Sequence, residues 1–464
     1  MTGRLIALLV ALVLILLVAA AFAVAWKPAI APVAPPQAAS FDQALVRRGA
    51  ALAEIGNCIA CHTAPGGKTL AGGRALPSPF GTIFSTNITP DADTGIGSWP
   101  GEAFQRSMRQ GVDRAGRHLY PVFPYDHFTL LTDDDNRALY AYPMTREPVR
   151  AQTPANELRF PFNIRIGLAA WKLLYLHKGP YQPDRSRSDA WNRGAYLVEG
   201  IAHCGACHTP RNGLGAERRG ELLASGEAEG WTAYALNQAS PAPVPWDARA
   251  LAFYLKNGWH EAHGISRGPM AEVTQSLASI SDSDVGAMAT YIMSVMGEPS
   301  AERRKRGEAA LAEARKNAAG ATESSGDSET ERGGANNDGA GAAIYASACA
   351  VCHDGERALP FGGIHFALST EMYGPNAKNL INVTLFGLPG AEGEQSPIMP
   401  GFADALGDDE LSALVSYLRR RFSDQPQWND IDQDIRAAHS GRRPVAIHPT
   451  HVALPDDASQ RGKP

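Results

Sequence analysis

The sequence predicts a mainly α fold: an N-terminal transmembrane helix, then three tandem small domains, each closed around one covalently held cofactor. Three observations predict it. The chain opens with 22 residues that carry no charge, Leu5 to Trp26. A five-residue pattern, Cys-x-x-Cys-His, then occurs at Cys58 to His62, Cys204 to His208 and Cys349 to His353, at spacings of 146 and 145 residues. After each copy comes an acid-led amphipathic stretch, Asp133 to Tyr142, Asp282 to Tyr291 and Asp408 to Tyr417, with Leu139, Met288 and Leu414 at the sixth position after the acid.

The repeated motif identifies the cofactor. Cys-x-x-Cys-His is the attachment signal for c-type haem, in which two thiols become thioethers to the macrocycle and the next imidazole becomes an axial iron ligand. Two cysteines three apart lie on one side of a helical turn, and a histidine directly after them swings beneath the ring they hold. Zinc knuckles and redox dithiols also use Cys-x-x-Cys pairs. With 13 histidines in 464 residues, however, chance would rarely place one behind all three pairs. The six motif cysteines are also all the cysteines of the chain. Cys58, Cys61, His62, Cys204, Cys207, His208, Cys349, Cys352 and His353 are therefore expected to hold three covalent c-type haems.

At 464 residues the chain has room for about three domains, and its formal charge of −5 with mixed signs argues against nucleic acid as a partner. As a helix, Leu5 to Trp26 would measure about 33 Å, enough to cross a bilayer. It is a membrane anchor or a signal peptide, and its apolar core, longer than the usual 7 to 15 residues of a cleaved signal, favours the uncleaved anchor. Arg4 on the short leading side implies an N-terminus inside and haem domains outside. That places the protein at a bacterial inner membrane, facing the periplasm.

In chain order, residues 5–26 are the anchor, and Pro28 to Ala39 is a stiff Pro/Ala spacer. The first haem domain is expected over 41–150, the second over 186–300 and the third over 340–424. Their opening helices carry Arg48-Gly49-Ala50, Arg193-Gly194-Ala195 and Gly341-Ala342-Ala343, where a small residue lets another helix cross closely, as in small domains of the class I cytochrome c type. The acid-led stretches are the closing helices, two of them behind a capping Thr132 or Ser281. Between domains one and two, 151–185 is a connecting amphipathic segment, with Arg165 and Lys172 on one side of Leu158 to Leu176. It is expected to pack the haem domains together or to lie at a membrane interface beside a quinone site. Residues 301–339 form a flexible linker that begins as a charged helix, and 425–464 form a polar tail.

An electron-carrying haem iron usually has both axial places filled, and Met opposite His raises its potential. Met270, in Gly268-Pro269-Met270, and Met399, in Met399-Pro400-Gly401, are the candidates in domains two and three. Both read as loop methionines outside the closing helix, unlike Met288, Met293 and Met296. In domain one the corresponding position is Phe123, which cannot bind iron. His127 is the first candidate there, then Met144, with His118 and Met108 behind; otherwise the site stays open.

Three haem motifs, GGRALPSPFGTIFSTNITPD at 72–91, WNRGAYLVEGIAHCGACHTPRNGLG at 191–215 and GPMAEV at 268–273 together resemble the triple-haem cytochrome c subunits of bacterial membrane-associated dehydrogenases. Over residues 45 to 425 the resemblance implies a subunit that is not catalytic alone. It would take electrons from a partner dehydrogenase and pass them to ubiquinone or a terminal oxidase. The group serves quinoprotein alcohol dehydrogenases, flavin-dependent sugar-acid dehydrogenases and molybdenum hydroxylases. Phe-Pro-Tyr-Asp-His-Phe at 123–128 looks more like the branch that accompanies molybdenum and iron–sulfur subunits, of the nicotinate or aldehyde dehydrogenase type. A subunit of a terminal oxidase and a peroxidase-like haem enzyme are the competing expectations.

Overall fold

The computed structural model describes residues 2–320, 337–355, 359, 362–388 and 398–440. Much of the expected linker (321–336) and of the polar tail (441–464) lies outside the described residues. The chain divides into two compact units, Met1–Pro183 with Glu199–His203, and Asp184–Val198 with Cys204–Pro464. The first carries one haem motif and the second carries two.

The first unit begins with helix α1 (Thr2–Ala25). Its expected role is corrected by the structure. A crossing needs about 20 consecutive apolar residues in one helix, and no helix among the described residues is long and apolar enough to cross a membrane. The transmembrane assignment of residues 5–26 therefore falls. What the structure does show for this segment is its end on the first domain, where the Ala25 carbonyl accepts from His118 Nε2 at 2.7 Å.

Helix α2 (Gln43–Ile55) starts at Asp42, whose carboxylate accepts from Leu45 N, and buries Val46, Leu52 and Ile55. The motif turn α3 (Cys58–Cys61) follows at once. Strands β1 (Ala75–Ser78), β2 (Gly81–Phe84) and β3 (Glu157–Leu158) form a small antiparallel sheet in that order. Gly81, at φ +126°, is needed there, because a Cβ would stand 2.2 Å from the Glu157 carbonyl oxygen. Helix α4 (Gly101–Gln110) and the single turn α5 (Tyr125–Phe128) precede the closing helix α6 (Asp133–Met144), which Thr132 caps through Asp135 N.

The connecting segment contains one short helix, α7 (Leu168–Tyr175), rather than a continuous one from Leu158. Its inward side mixes a charged residue with the apolar Ala169, Trp171 and Leu176. Lys172 is buried and Arg165 Nη1 donates to the His118 carbonyl at 3.3 Å, whereas Phe160, Ile166, Leu173 and Leu174 are exposed.

In the second unit α8 (Asp189–Ala195), capped by Ser188, leads into the motif turn α9 (Gly205–His208). The hairpin β4 (Gly226–Ala228) and β5 (Trp231–Ala233) follows, then α10 (Ala248–Asn257), the short pair β6 (Trp259–His260) and β7 (Gly264–Ile265), α11 (Pro269–Ala278) and the closing helix α12 (Asp282–Met296). Helix α13 (Ala301–Gly320) occupies the start of the expected linker. The last domain runs from α14 (Asn337–Ile344) through the motif turn α15 (Ala350–His353) and α16 (Lys378–Phe386) to the closing helix α17 (Asp408–Phe422), with α18 (Ile431–Ser440) packed beside it. Its core gathers Tyr345, Met372, Ile381, Leu411, Val415 and Leu418, each no more than 1 % exposed.

One crossing recurs in all three domains. A Cβ on Gly49 would lie 2.0 Å from the Ala138 carbonyl oxygen, one on Gly194 2.0 Å from that of Ala287, and one on Gly341 2.4 Å from that of Ala413. Opening and closing helices thus touch backbone to backbone, which any side chain would prevent. In the first two domains an ion pair closes the same crossing: Arg48 Nε lies 2.6 Å from Asp135 Oδ1, and Arg193 Nε 2.8 Å from Asp284 Oδ1. Gly194→Ala should cost about 1 to 3 kcal/mol of stability. Gly286→Ala, in α12 with nothing near its Cβ position, should instead be neutral or gain about 0.5 to 1 kcal/mol. Thermal unfolding of the two variants checks the contrast.

Candidate haem sites

Each motif turn is set by the helix before it. In the first two domains a residue in the left-handed region, Asn57 at φ +50° and His203 at φ +41°, turns the chain into the first cysteine. An arginine then fixes the turn from outside. Arg74 Nη1 donates to the Ala60 carbonyl at 2.9 Å, and Arg211 Nη2 to that of Ala206 at 2.8 Å, the same motif position in both domains.

The first thiol of each motif is held in its protonated form by this environment. Burial, then the neighbouring Cys61 and Glu54, pushes Cys58 up to about 12. Burial and Cys207 push Cys204 up to about 12, and burial and Cys352 push Cys349 up to about 11. In the mature protein these sulfurs would be thioethers, which carry no charge. Nucleophilic attack needs a thiolate, so redox dithiols fit these pockets poorly.

The three motif histidines share one arrangement. His62 Nδ1 donates to the Thr86 carbonyl, His208 Nδ1 to that of Tyr234 and His353 Nδ1 to that of Ile364, each at 2.7 Å. A carbonyl only accepts, so Nδ1 carries the hydrogen and Nε2 presents the lone pair that a metal needs. Burial lowers the pKa of all three rings, favouring the neutral form. In domains one and two the accepting carbonyl stands just past a hairpin, β1–β2 or β4–β5. In domain three it follows Gly363, where a Cβ would stand 2.9 Å from His353 Nδ1.

The candidate second ligands are placed as follows. Met399 lines an apolar pocket together with Cys349, His353, Phe366, Leu414 and Leu418. Its backbone pairs in both directions with Leu388, at 2.8 and 3.0 Å. Met270 stands in the first turn of α11 rather than in a loop, behind Pro269, which suits a helix start. His127 is buried in α5, and its Nδ1 donates to the Glu199 carbonyl at 2.7 Å, the same tautomer-fixing bond that the motif histidines make. Phe123 packs edge-on against Phe128, ring centroids 5.3 Å apart. His118 is committed elsewhere, Nε2 to Ala25 and Nδ1 to Lys172 at 3.1 Å. Met144 and Met108 are core residues of α6 and α4, 2 % and 5 % exposed. Sequence reasoning missed Arg74, Arg211 and the accepting carbonyls. For the arginines the signal was weak, and for carbonyls there was none.

Paired sulfurs and oriented imidazoles, repeated in each domain, define a multihaem c-type cytochrome. Family models agree in part: that for cytochrome c matches residues 46–146, and that for the cbb3-type cytochrome c oxidase subunit III matches 336–418. Among relatives, one of the subunits of nicotinate dehydrogenase from Pseudomonas putida is 43 % identical over 88 % of this chain, which spans 33 % of that protein's length. The fructose dehydrogenase cytochrome subunit of Gluconobacter japonicus is 36 % identical, over 89 % of this chain and 86 % of its own. The gluconate 2-dehydrogenase cytochrome c subunit of Pantoea cypripedii is 34 % identical, over 88 % and 94 %. The chain belongs to the family of cytochrome c subunits of dehydrogenases, and its cofactor is covalently bound c-type haem.

Lys172 supplies a separate test of the first domain. Burial, then Lys178 and Lys27, pushes its ammonium down to about 7 from 10.5. Between those values the unfolded chain binds more protons at this site than the folded one, so folding stability rises with pH across that window and levels off above it. Lys172→Met should flatten that part of the profile. Denaturant unfolding at several pH values between 7 and 10, compared for the two proteins, measures the difference.

Proposed function

We propose that this chain relays electrons singly from a partner periplasmic dehydrogenase, through three covalent haems, to ubiquinone or a terminal oxidase. The observation that carries the proposal is its likeness, over nearly nine tenths of its length, to subunits of several dehydrogenases, three of them cytochrome subunits by name. Haem, once bound, supplies one-electron iron chemistry, which lets a two-electron oxidation on a partner feed one-electron acceptors. The chain's own residues hold and orient it. The cysteine pairs fasten the ring, and His62, His208 and His353 are each turned by a backbone carbonyl to offer Nε2 to iron.

His127, Met270 and Met399 are proposed as the opposing ligands. His127 is favoured by its Nδ1 bond, which orients it as the motif histidines are oriented. Met399 is favoured by the pocket it shares with His353. The partner is proposed to be a molybdenum hydroxylase with an iron–sulfur subunit. The 43 % identity to a nicotinate dehydrogenase subunit supports that branch, against 36 % and 34 % for the fructose and gluconate enzymes' subunits. Covalent haem attachment on the exported side supports a periplasmic location. A second proposal, a subunit of a terminal oxidase, draws on the cbb3-type match to 336–418, which covers one domain of the three.

Purification from the source cells tests the partner. A co-purifying dehydrogenase containing molybdenum and iron–sulfur clusters is expected; a quinoprotein or flavoprotein would overturn the branch, and a copper–haem oxidase the function. Site assignments are tested by spectra. His127→Ala should convert one of three low-spin haems to a high-spin, carbon-monoxide-binding form. Met270→Ala and Met399→Ala should each remove part of the methionine–iron charge-transfer band.

A further inference from the structure

Domains two and three lie in one compact unit, and the bonds between them gather at the segments that carry their candidate haem ligands. On the histidine side of domain two, Asn379 of α16 pairs with Thr232 of β5 in both directions. Its Oδ1 accepts from Thr232 N at 2.8 Å, and its Nδ2 donates to the Thr232 carbonyl at 2.9 Å, with both residues buried. Thr232 Oγ1 also lies 2.9 Å from Asn376 Oδ1. Two residues on, the Tyr234 carbonyl receives His208 Nδ1, and the Tyr234 ring lies against Gly374, where a Cβ would be only 2.8 Å away.

On the methionine side, Arg267 stands three residues before Met270. Its Nε donates across to the Gly387 carbonyl at 3.0 Å. Gly387 precedes Leu388, the backbone partner of Met399, and at φ +66° it lies so close that a Cβ would be 2.4 Å from the Met399 carbonyl oxygen. The histidine side of domain three is also in contact: a Cβ on Gly264 of β7 would lie 3.5 Å from Ile364 Cδ1, and the Ile364 carbonyl receives His353 Nδ1.

We infer that the second and third haems form a fixed electron-exchanging pair, with Arg267 and Asn379 as the positioning residues that tie the ligand-bearing segments of one domain to those of the other. This rests on the haem assignments proposed above. Side-chain amides that satisfy a strand's N–H and C=O together, in a buried place, leave the strand little freedom to shift without breaking both bonds. A change in geometry at one haem is therefore carried to the surroundings of the other. Lys378, 2.8 Å from the exposed carboxylate of Glu227 on the rim of the same interface, holds no backbone group of a ligand-bearing segment, and this pair is the control.

The test uses the full chain matured with haem, its mass checked first for three porphyrins. Arg267→Lys and Asn379→Ala both conserve net charge, so any shift they cause reports geometry. Each should move the midpoint potentials and low-spin electron paramagnetic resonance signals of two haems at once, leave the third unchanged, and weaken the paired Soret circular dichroism of neighbouring haems. The double variant Lys378→Met with Glu227→Gln, which also conserves net charge, should leave all three signals in place. A shift confined to one haem, no shift in either variant, or an equal shift in the double variant would overturn the proposal. Should Asn379→Ala fail to fold, Arg267→Lys alone decides. A mass short of three porphyrins would overturn the haem assignment and, with it, this proposal.

Discussion

Backbone contact between the opening and closing helices, at Gly49, Gly194 and Gly341, is the constraint on which the three domains depend. It sets where the opening helix ends, and the motif turn follows that end within a few residues. A side chain at the crossing would push the helices apart and carry the cysteines with them. The contact gains nothing through burial of the glycine itself, which has no side chain to bury. Its value is that it lets larger neighbours on both helices close over the core. Arginine–aspartate pairs reinforce it in two domains, with partly exposed partners, and such pairs contribute modestly.

Orientation of the imidazoles comes from a different source in each domain. Thr86, Tyr234 and Ile364 have nothing in common as side chains, and they follow their histidines by 24, 26 and 11 residues. What they share is a backbone carbonyl held at 2.7 Å from Nδ1 by local structure. That single bond selects the tautomer, and the tautomer decides which nitrogen can meet a metal. His127 in the first domain makes the same bond to Glu199, although no motif announces it.

Much of this was legible in the chain itself. Closing helices begin at Asp133, Asp282 and Asp408, where their acids stand in the sequence, because acidic residues and Thr or Ser caps mark helix starts locally. The first opening helix, Gln43–Ile55, contains the Arg48-Gly49-Ala50 that marks it in the sequence. The connecting segment was harder to foresee. Its alternation of apolar and charged residues is read as apolar-inward, but Lys172 is buried against Tyr125, 4.8 Å from the ring centroid, while Leu173 and Leu174 point outward. A lysine in such a place is decided by the pocket it meets, not by its spacing. Charge-free composition likewise described residues 5–26 without deciding whether they span a bilayer, and the structure withdrew that role.

The sequence by itself determined the chemistry: the cysteine–histidine motifs, the glycines at the crossings and the helix caps are local patterns whose physics acts over a few residues. Tertiary structure alone decided which carbonyl turns each histidine, that both ring nitrogens of His118 are taken by Ala25 and Lys172, and which loops of the second and third domains meet. Those outcomes join residues as far apart as Thr232 and Asn379, and no local pattern encodes a contact whose partner is brought near only by folding.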